Sequence, residues 1–161
     1  MFHLIPPPLH RFLLRIAHAV RLVYWRRFKP VLSACWVIGT DIDGKLLLVR
    51  TSYGRHRWQL PGGGVKNGED PELAARRELR EETGCEPARL TSLGLMEDTV
   101  VGAPSRNYVF TAIIEDSPEA DGREVVEARF FPLHSLPEPL SGKTRARLEF
   151  WREKVREARE I

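Results

Sequence analysis

The chain has 161 residues, of which 42% are hydrophobic and 29% are charged, a balance typical of a globular domain. This composition excludes a fibrous repeat and wholesale disorder, and the length favours one domain with a single core. The formal net charge of +3 is too small to indicate nucleic-acid binding by itself.

The charge is distributed unevenly along the chain. Residues 1–30 contain six basic residues and no acidic residue, so the rest of the chain is net acidic. Cys35 and Cys85 lack the spacing of a zinc site, which predicts two buried thiols and a cytoplasmic location. Arg15 interrupts the short apolar stretch near the start, which argues against a membrane span and against a signal peptide.

The first predicted element is an amphipathic helix over residues 9–28, preceded by an extended, proline-rich start over residues 1–8. The apolar residues of this helix recur at three- and four-residue steps, as Leu9, Phe12, Leu13, Ile16, Val20 and Val23. We treat residues 1–30 as a basic leader helix and residues 31–161 as the main domain. We expect the leader to pack on that domain or to pair with a second subunit in a homodimer. Contact with an anionic membrane surface is our second interpretation, and contact with nucleic acid is the third.

The main domain combines several predicted strands with two helices. Alternating and β-branched apolar residues predict strands at residues 31–39, 45–50, 58–60, 89–97, 106–114 and 127–132. A helix is predicted from the cap Asp70 to the stop Gly84, and the glycine-rich residues 62–68 before it predict a flexible loop. A charged helix follows over residues 143–160, with Arg147 on its solvent face. This order predicts an α+β fold with a mixed sheet.

The residue types associated with chemistry cluster around the predicted central helix. Glu78, Glu81 and Glu82 lie at i, i+3 and i+4, so their carboxylates share one face within about one turn. Carboxylates that close repel one another, and a hard cation such as Mg²⁺ or Mn²⁺, which prefers oxygen ligands, would hold them together. Glu69 could reach the same cluster, and Arg77 could orient a carboxylate by a bidentate pair. The pattern predicts a metal site for a phosphate-rich substrate.

The same segment resembles the box of the Nudix hydrolase family. It reads Gly63-x5-Glu69-x7-Arg77-Glu78-Leu79-x-Glu81-Glu82-x-Gly84-Cys85, and all seven fixed residues of the box match. Cys85 stands where the family usually has a larger aliphatic residue. The flanking segments, residues 58–63 and 130–137, also resemble the family, so the resemblance covers about residues 31–140.

The resemblance implies a Nudix-type α/β/α sandwich around a mixed sheet. It also implies hydrolysis of a diphosphate linkage in a nucleoside diphosphate joined to another group. The implied ligands of Mg²⁺ or Mn²⁺ are Glu78, Glu81, Glu82 and the backbone of Gly63. A later acid acts in many relatives as ligand or base, and Glu124 is the first candidate and Glu127 the second. Water then attacks phosphorus, with Glu82, Glu124 and Glu81 as the candidate catalytic acids.

The predicted substrate contacts are basic side chains and backbone amides. They are Arg50, Arg57, Gly62, Gly63 and Arg77, and the partner is a small-molecule nucleotide. The basic loop before Trp58 either contacts phosphates or is an ordinary polar loop, and Trp58 itself fits core packing better than base stacking. A catalytically inactive Nudix-fold module that binds nucleotides or regulates other proteins is the alternative function.

Overall fold

A computed structural model of the chain describes residues 6–53 and 55–160. Most of the predicted extended start therefore lies outside the described residues. The first helix begins at Pro7, two residues earlier than predicted, because proline is tolerated in the first turn of a helix, where its missing N–H has no partner to lose.

The described part of the chain forms three helices and seven strands. In chain order they are α1 (Pro7–Phe28), β1 (Leu32–Thr40), β2 (Leu46–Thr51), β3 (Trp58–Gln59), β4 (Gly62–Gly64), α2 (Pro71–Thr83), β5 (Thr91–Val100), β6 (Ala103–Ile113), β7 (Val125–Phe131) and α3 (Gly142–Arg159). The predicted strands and helices are all present, with ends shifted by a few residues.

All the strands belong to one mixed sheet. Its main path runs β3-β2-β1-β6-β5, with β4 paired to β1 and β7 paired to β2. The pairing of β1 with β6 is parallel, and the other pairings are antiparallel. The mixed sheet predicted from the order of elements is confirmed.

Helices cover both faces of the sheet. Because successive strand residues point to opposite faces, Cys35 and Val37 of β1 pack with Leu79 of α2, whereas Ile38 packs on the other face with Leu148 of α3. This is the α/β/α sandwich that the resemblance implied. The two predicted buried thiols, Cys35 and Cys85, are both buried and form no disulfide.

Two local predictions were wrong. Gly62–Gly64 form strand β4, paired with Ala34, Cys35 and Trp36, although the glycine run predicted a flexible loop. Glycine carries no side chain, so this strand has no alternating pattern to detect. Arg147 is buried instead of solvent-exposed: its guanidinium lies 4.1 Å from the centroid of the Trp36 ring, and burial lowers its pKa to about 10.

Helix α1 lies outside the sandwich and is anchored to it by two arginine side chains. Arg11 donates to the backbone oxygen of Gly122 at 2.6 Å, and Arg15 donates to that of Ser52 at 3.3 Å. The predicted packing on the domain is made by these bonds and by the half-buried Leu14, Leu22 and Trp25, whereas the other large apolar side chains of the helix remain exposed. None of the helices in the described residues is both long and apolar enough to cross a membrane.

Candidate active site

The position of helix α2 is fixed at both ends by local chemistry. The Asp70 carboxylate accepts the backbone N–H groups of Glu72 and Leu73 at 2.9 and 3.2 Å, and Pro71 follows as the first helical residue. Caps of this kind contribute about 0.5–2 kcal/mol. Gly84 ends the helix in the left-handed conformation, with φ at 72°. Both predicted ends are confirmed, and between them the glutamate-rich face of α2 meets β4.

Glu82 is the most deeply buried acid of this face. Its side chain is packed against β4, where Oε2 accepts the backbone N–H of Gly62 at 2.9 Å. Burial raises the pKa of Glu82 well above its ordinary value, the Gly62 hydrogen bond opposes that shift, and the carboxylates of Glu78 and Glu124 raise the pKa further. The predicted candidate base is therefore a shielded carboxyl group beside other acids.

Glu78 lies one turn earlier and reaches the same strand. A Cβ atom built on Gly63 would lie 2.6 Å from the Glu78 carboxyl carbon, so any larger residue would displace this carboxylate. Burial raises the pKa of Glu78, a hydrogen bond from Arg77 lowers it, and the nearby Glu81 and Glu124 raise it. The bare backbone at Gly63 thus makes room for the carboxylate.

Arg77 joins the loop, the helix and the strand. Its Nε and Nη2 donate to the two Glu69 oxygens at 2.8 and 3.0 Å, and its Nη1 donates to Glu78 at 2.7 Å. A further bond runs to the backbone oxygen of Gly64 at 3.0 Å. The Arg77 hydrogen bonds, followed by the N–H of Lys66, lower the pKa of Glu69 to about 2. Because Arg77 uses its donors in these bonds, it positions the carboxylates of Glu69 and Glu78. A direct contact between Arg77 and the substrate stays a prediction.

Glu81 differs from its two neighbours on the helix. Its side chain is 57% exposed, and its Oε2 lies 3.4 Å from Arg77 Nη1. Within residues 6–53 and 55–160, no three carboxylate, imidazole or thiol groups form a cluster arranged to hold a metal ion. Glu78 and Glu82 approach β4, whereas Glu81 faces solvent.

The two candidates for the later acid occupy different surroundings. Glu124, just before β7, accepts a hydrogen bond from the Tyr53 hydroxyl at 2.5 Å and lies close enough to Glu78 and Glu82 to raise their pKa values. Glu127 instead forms an ion pair with Arg50. The geometry therefore favours Glu124, and it leaves the Arg50 guanidinium engaged by a carboxylate.

Two residues that position Glu124 were not identified from the sequence. Asp121 accepts the backbone N–H groups of Arg123 and Val125 at 3.0 and 2.8 Å, which fixes the turn that carries Glu124. The Asp121-Gly122 pair is a turn signal that could have indicated this role. Tyr53, which bonds Glu124, is held in place by His18 of α1, with ring centroids 5.0 Å apart. No sequence signal joins residues that far apart in the chain.

A basic cavity adjoins these carboxylates. It has a volume of about 520 Å³, and Tyr53, which bonds Glu124, forms part of its wall. Its cationic and imidazole lining residues are His18, Arg55, His56, Arg57 and Lys143. The predicted substrate residue Arg57 therefore lies in a cavity suited to anions, whereas Arg50 lies in a separate depression beside Arg15.

Comparison with known proteins identifies relatives over most of the chain. A family profile described as "NUDIX domain" matches residues 30–152. The RNA pyrophosphohydrolase of Aeromonas hydrophila subsp. hydrophila is 45% identical over 67 residues, which are 42% of this chain and 33% of that protein. The diphosphoinositol polyphosphate phosphohydrolase 3-alpha of Mus musculus is 35% identical over 88 residues, which are 52% of this chain and 53% of that protein.

A solved structure extends the similarity to the fold. The MutT NUDIX hydrolase from Burkholderia pseudomallei is 29% identical, with a TM-score of 0.67, over 74% of this chain and 96% of that one. The chain spans from about a third to about half of the length of the two curated relatives named above. The family profile covers well over half of the chain and includes Glu78, Glu81, Glu82, Glu124 and strand β4. The chain belongs to the NUDIX family.

Proposed function

We propose that this chain hydrolyses a diphosphate linkage in a nucleoside diphosphate derivative or a related nucleotide, with the help of Mg²⁺ or Mn²⁺. The observation that carries the proposal is the buried Glu82 and the half-buried Glu78, held against a bare glycine strand with Glu124 alongside. Burying neighbouring carboxylates lowers stability unless a cation compensates their charge. Arg77 donates to Glu78, whereas Glu82 accepts only the Gly62 N–H within the described residues.

The donors at this site fit a hard divalent cation. They are carboxylate and backbone oxygens only. Burial, together with the charges of neighbouring carboxylates, raises the pKa of Glu78 and of Glu82, and a bound cation would lower both again. Glu78, Glu82 and the Gly63 backbone are the proposed ligands, joined by the carboxylate of the exposed Glu81. When bound, Mg²⁺ or Mn²⁺ supplies neutralisation of the diphosphate charge and acidification of water.

The chain's own side chains perform the proton transfer in this proposal. A water oxygen attacks one phosphorus atom, the bond from that phosphorus to the bridging oxygen breaks, and the water proton passes to Glu82 or Glu124. The Tyr53 hydroxyl holds Glu124 by a hydrogen bond. Burial, followed by the charge of Glu124, raises the pKa of Tyr53, so this hydroxyl remains a neutral donor.

Substrate binding is proposed for the basic cavity and the glycine strand. Arg57 lines the cavity together with Lys143, and phosphate oxygens there would be attracted by several cations. The proposed backbone contacts of Gly62 and Gly63 would form beside Glu78 and Glu82, where the two glycines carry no side chain of their own. A cytoplasmic location is part of the same proposal, supported by two buried cysteines without a disulfide.

The test is a substrate panel assayed with and without Mg²⁺. It includes nucleoside diphosphate derivatives, nucleoside triphosphates, 5′-triphosphorylated RNA and a diphosphoinositol polyphosphate, the last two chosen because the two curated relatives are named for acting on such compounds. We expect metal-dependent release of phosphate or of a monophosphate from at least one compound. Binding of a nucleotide without hydrolysis of any compound would support the inactive binding module and contradict the proposal.

A further inference from the structure

Helix α1 carries a continuous apolar surface that the rest of the chain does not cover. We call this surface the outer face of α1, and it comprises Leu9, Phe12, Leu13, Ile16, Val20, Val23 and Tyr24. Each of these side chains is between 45% and 66% exposed. Single exposed apolar residues are ordinary on protein surfaces, but a contiguous stripe along more than four helical turns marks a surface that binds a partner.

The opposite side of α1 fixes the direction in which the outer face points. Arg11 bonds the backbone of Gly122, Arg15 bonds the backbone of Ser52, and the His18 ring lies against Tyr53. An amphipathic helix that served only to cover its own domain would turn its apolar side inward. Here the domain side combines these polar anchors with the half-buried Leu14, Leu22 and Trp25, and the larger apolar surface, the outer face, is held outward.

The charges of the leader decide which partner this face fits. Residues 1–30 carry six basic residues and no acid, and none of the ion pairs found in the described residues involves α1. Arg26 and Arg27 follow the last apolar turn, so unpaired cations lie beside exposed hydrocarbon. Arg27 stands one turn beyond Val23, on the same side of the helix.

A second copy of the chain fits this surface poorly. Pairing two outer faces would bring two acid-free helices together and would set their cations against one another without a counter-charge. A nucleic acid would satisfy the cations but would leave the apolar side chains in water. The surface of a bilayer with anionic lipids satisfies both, because acyl chains accept the apolar residues and headgroups attract the arginines.

We propose that the outer face of α1 docks the protein on the surface of a membrane that contains anionic lipids, with the helix lying in the interface. Our first expectation was packing on the domain or pairing with a second subunit, and the membrane surface was the second interpretation; the outward direction of the outer face is the reason for the change. The domain-side anchors Ser52 and Gly122 neighbour Tyr53 and Glu124, so docking holds the candidate active site close to the bilayer surface. The proposal is independent of the hydrolytic activity.

The test is sedimentation of the full chain with vesicles of phosphatidylcholine alone and of phosphatidylcholine with phosphatidylserine. We expect binding to the vesicles with phosphatidylserine, and weaker binding as salt screens the charge attraction. Val20→Glu should reduce that binding roughly tenfold, because it buries a charge where an apolar group entered the interface. The matched control is Ile42→Glu, which makes the same kind of change at a side chain that is 81% exposed in the turn between β1 and β2.

A second variant tests the charges, and the melting temperature of each variant verifies its folding. Arg26→Glu combined with Arg27→Glu should abolish the preference for phosphatidylserine while the outer face stays intact. Three results would overturn the proposal. The first is equal binding, or no binding, to both kinds of vesicle, and the second is vesicle binding that Val20→Glu does not change. The third is a protein that does not bind vesicles but forms a dimer or an RNA complex, which Val20→Glu disrupts.

Discussion

Glu82 has surroundings that oppose its ionisation. Its side chain is 5% exposed, and burial together with the charges of Glu78 and Glu124 raises its pKa above the value in an unfolded chain. A carboxyl group with a raised folded-state pKa binds its proton more tightly in the native state. The native state therefore loses stability as the pH rises above the unfolded value of about 4.3.

Glu82→Gln should stabilise the protein at neutral pH in the presence of a chelator. The amide keeps an oxygen that can accept the Gly62 N–H, and it removes the cost of ionising a buried acid. Thermal unfolding at pH 5 and pH 8 tests this, and the increase in melting temperature should be larger at pH 8. Glu81→Gln is the matched control, since its side chain is 57% exposed and should leave the melting temperature unchanged. A lower melting temperature for Glu82→Gln than for the unmodified chain at pH 8 would contradict the raised pKa of Glu82.

The identity of the later acid can be tested by a pair of variants. Glu124→Gln should reduce hydrolysis by about 10²-fold or more, because it removes a carboxylate beside Glu78 and Glu82. Glu127→Gln should reduce it much less, since Glu127 is paired with Arg50. Steady-state rates in saturating Mg²⁺ distinguish the two, and a reversed order of effects would assign the role to Glu127.

At the scale of elements, the sequence is most informative where side chains make local bonds. Helix α2 is predictable because Asp70, Pro71 and Gly84 each satisfy a backbone requirement at a helix end. Strand β4 is not predictable in the same way, because its bonds run to β1, whose partner residues lie almost thirty positions earlier in the chain. The family box identifies the acids, whereas only the fold brings Glu124 and Tyr53 to them.

Strand β4 also allows stability and activity to be separated. Gly62 has φ at +149°, and a Cβ there would lie 2.1 Å from the backbone oxygen of Cys35. Gly62→Ala should therefore destabilise the fold by about 1–3 kcal/mol or more, because backbone atoms have to move. Gly63→Ala meets the Glu78 carboxylate instead, so it should lower hydrolysis far more than stability. Denaturant unfolding and initial rates of both variants test this, and equal losses of stability would refute the distinction.

At the scale of the whole molecule, the orientation of the leader on the domain could not be predicted from the sequence. Periodicity predicts that α1 is an amphipathic helix, but it gives no direction for the apolar side. That direction depends on bonds to Ser52 and Gly122, which are formed only after the domain has folded. The burial of Arg147 could not be predicted from the sequence either, because its position over Trp36 comes from packing between α3 and β1.

Removal of residues 1–28 should leave a folded domain. The two core clusters of the described residues draw on α2, α3 and the strands and contain no residue of α1. The lost contacts are the hydrogen bonds from Arg11 and Arg15, each contributing about 0.5–1.5 kcal/mol, and the packing of half-buried side chains such as Leu14 and Trp25. We therefore expect a decrease in melting temperature of less than about 10 °C. Differential scanning calorimetry tests this, and a truncated chain without a cooperative transition would show that the leader belongs to the domain.

In the proposed function, Glu78, Glu82 and Glu124 act with a divalent cation on a diphosphate. The most direct test is the rate of diphosphate hydrolysis as a function of Mg²⁺ concentration for the unmodified chain and for Glu82→Gln, with a substrate that the panel identifies. We expect a rate that rises with Mg²⁺ and saturates, and a decrease of about 10²- to 10⁴-fold in Glu82→Gln at saturation. Hydrolysis that is unchanged in Glu82→Gln, or that proceeds at full rate in excess chelator, would contradict the proposed function.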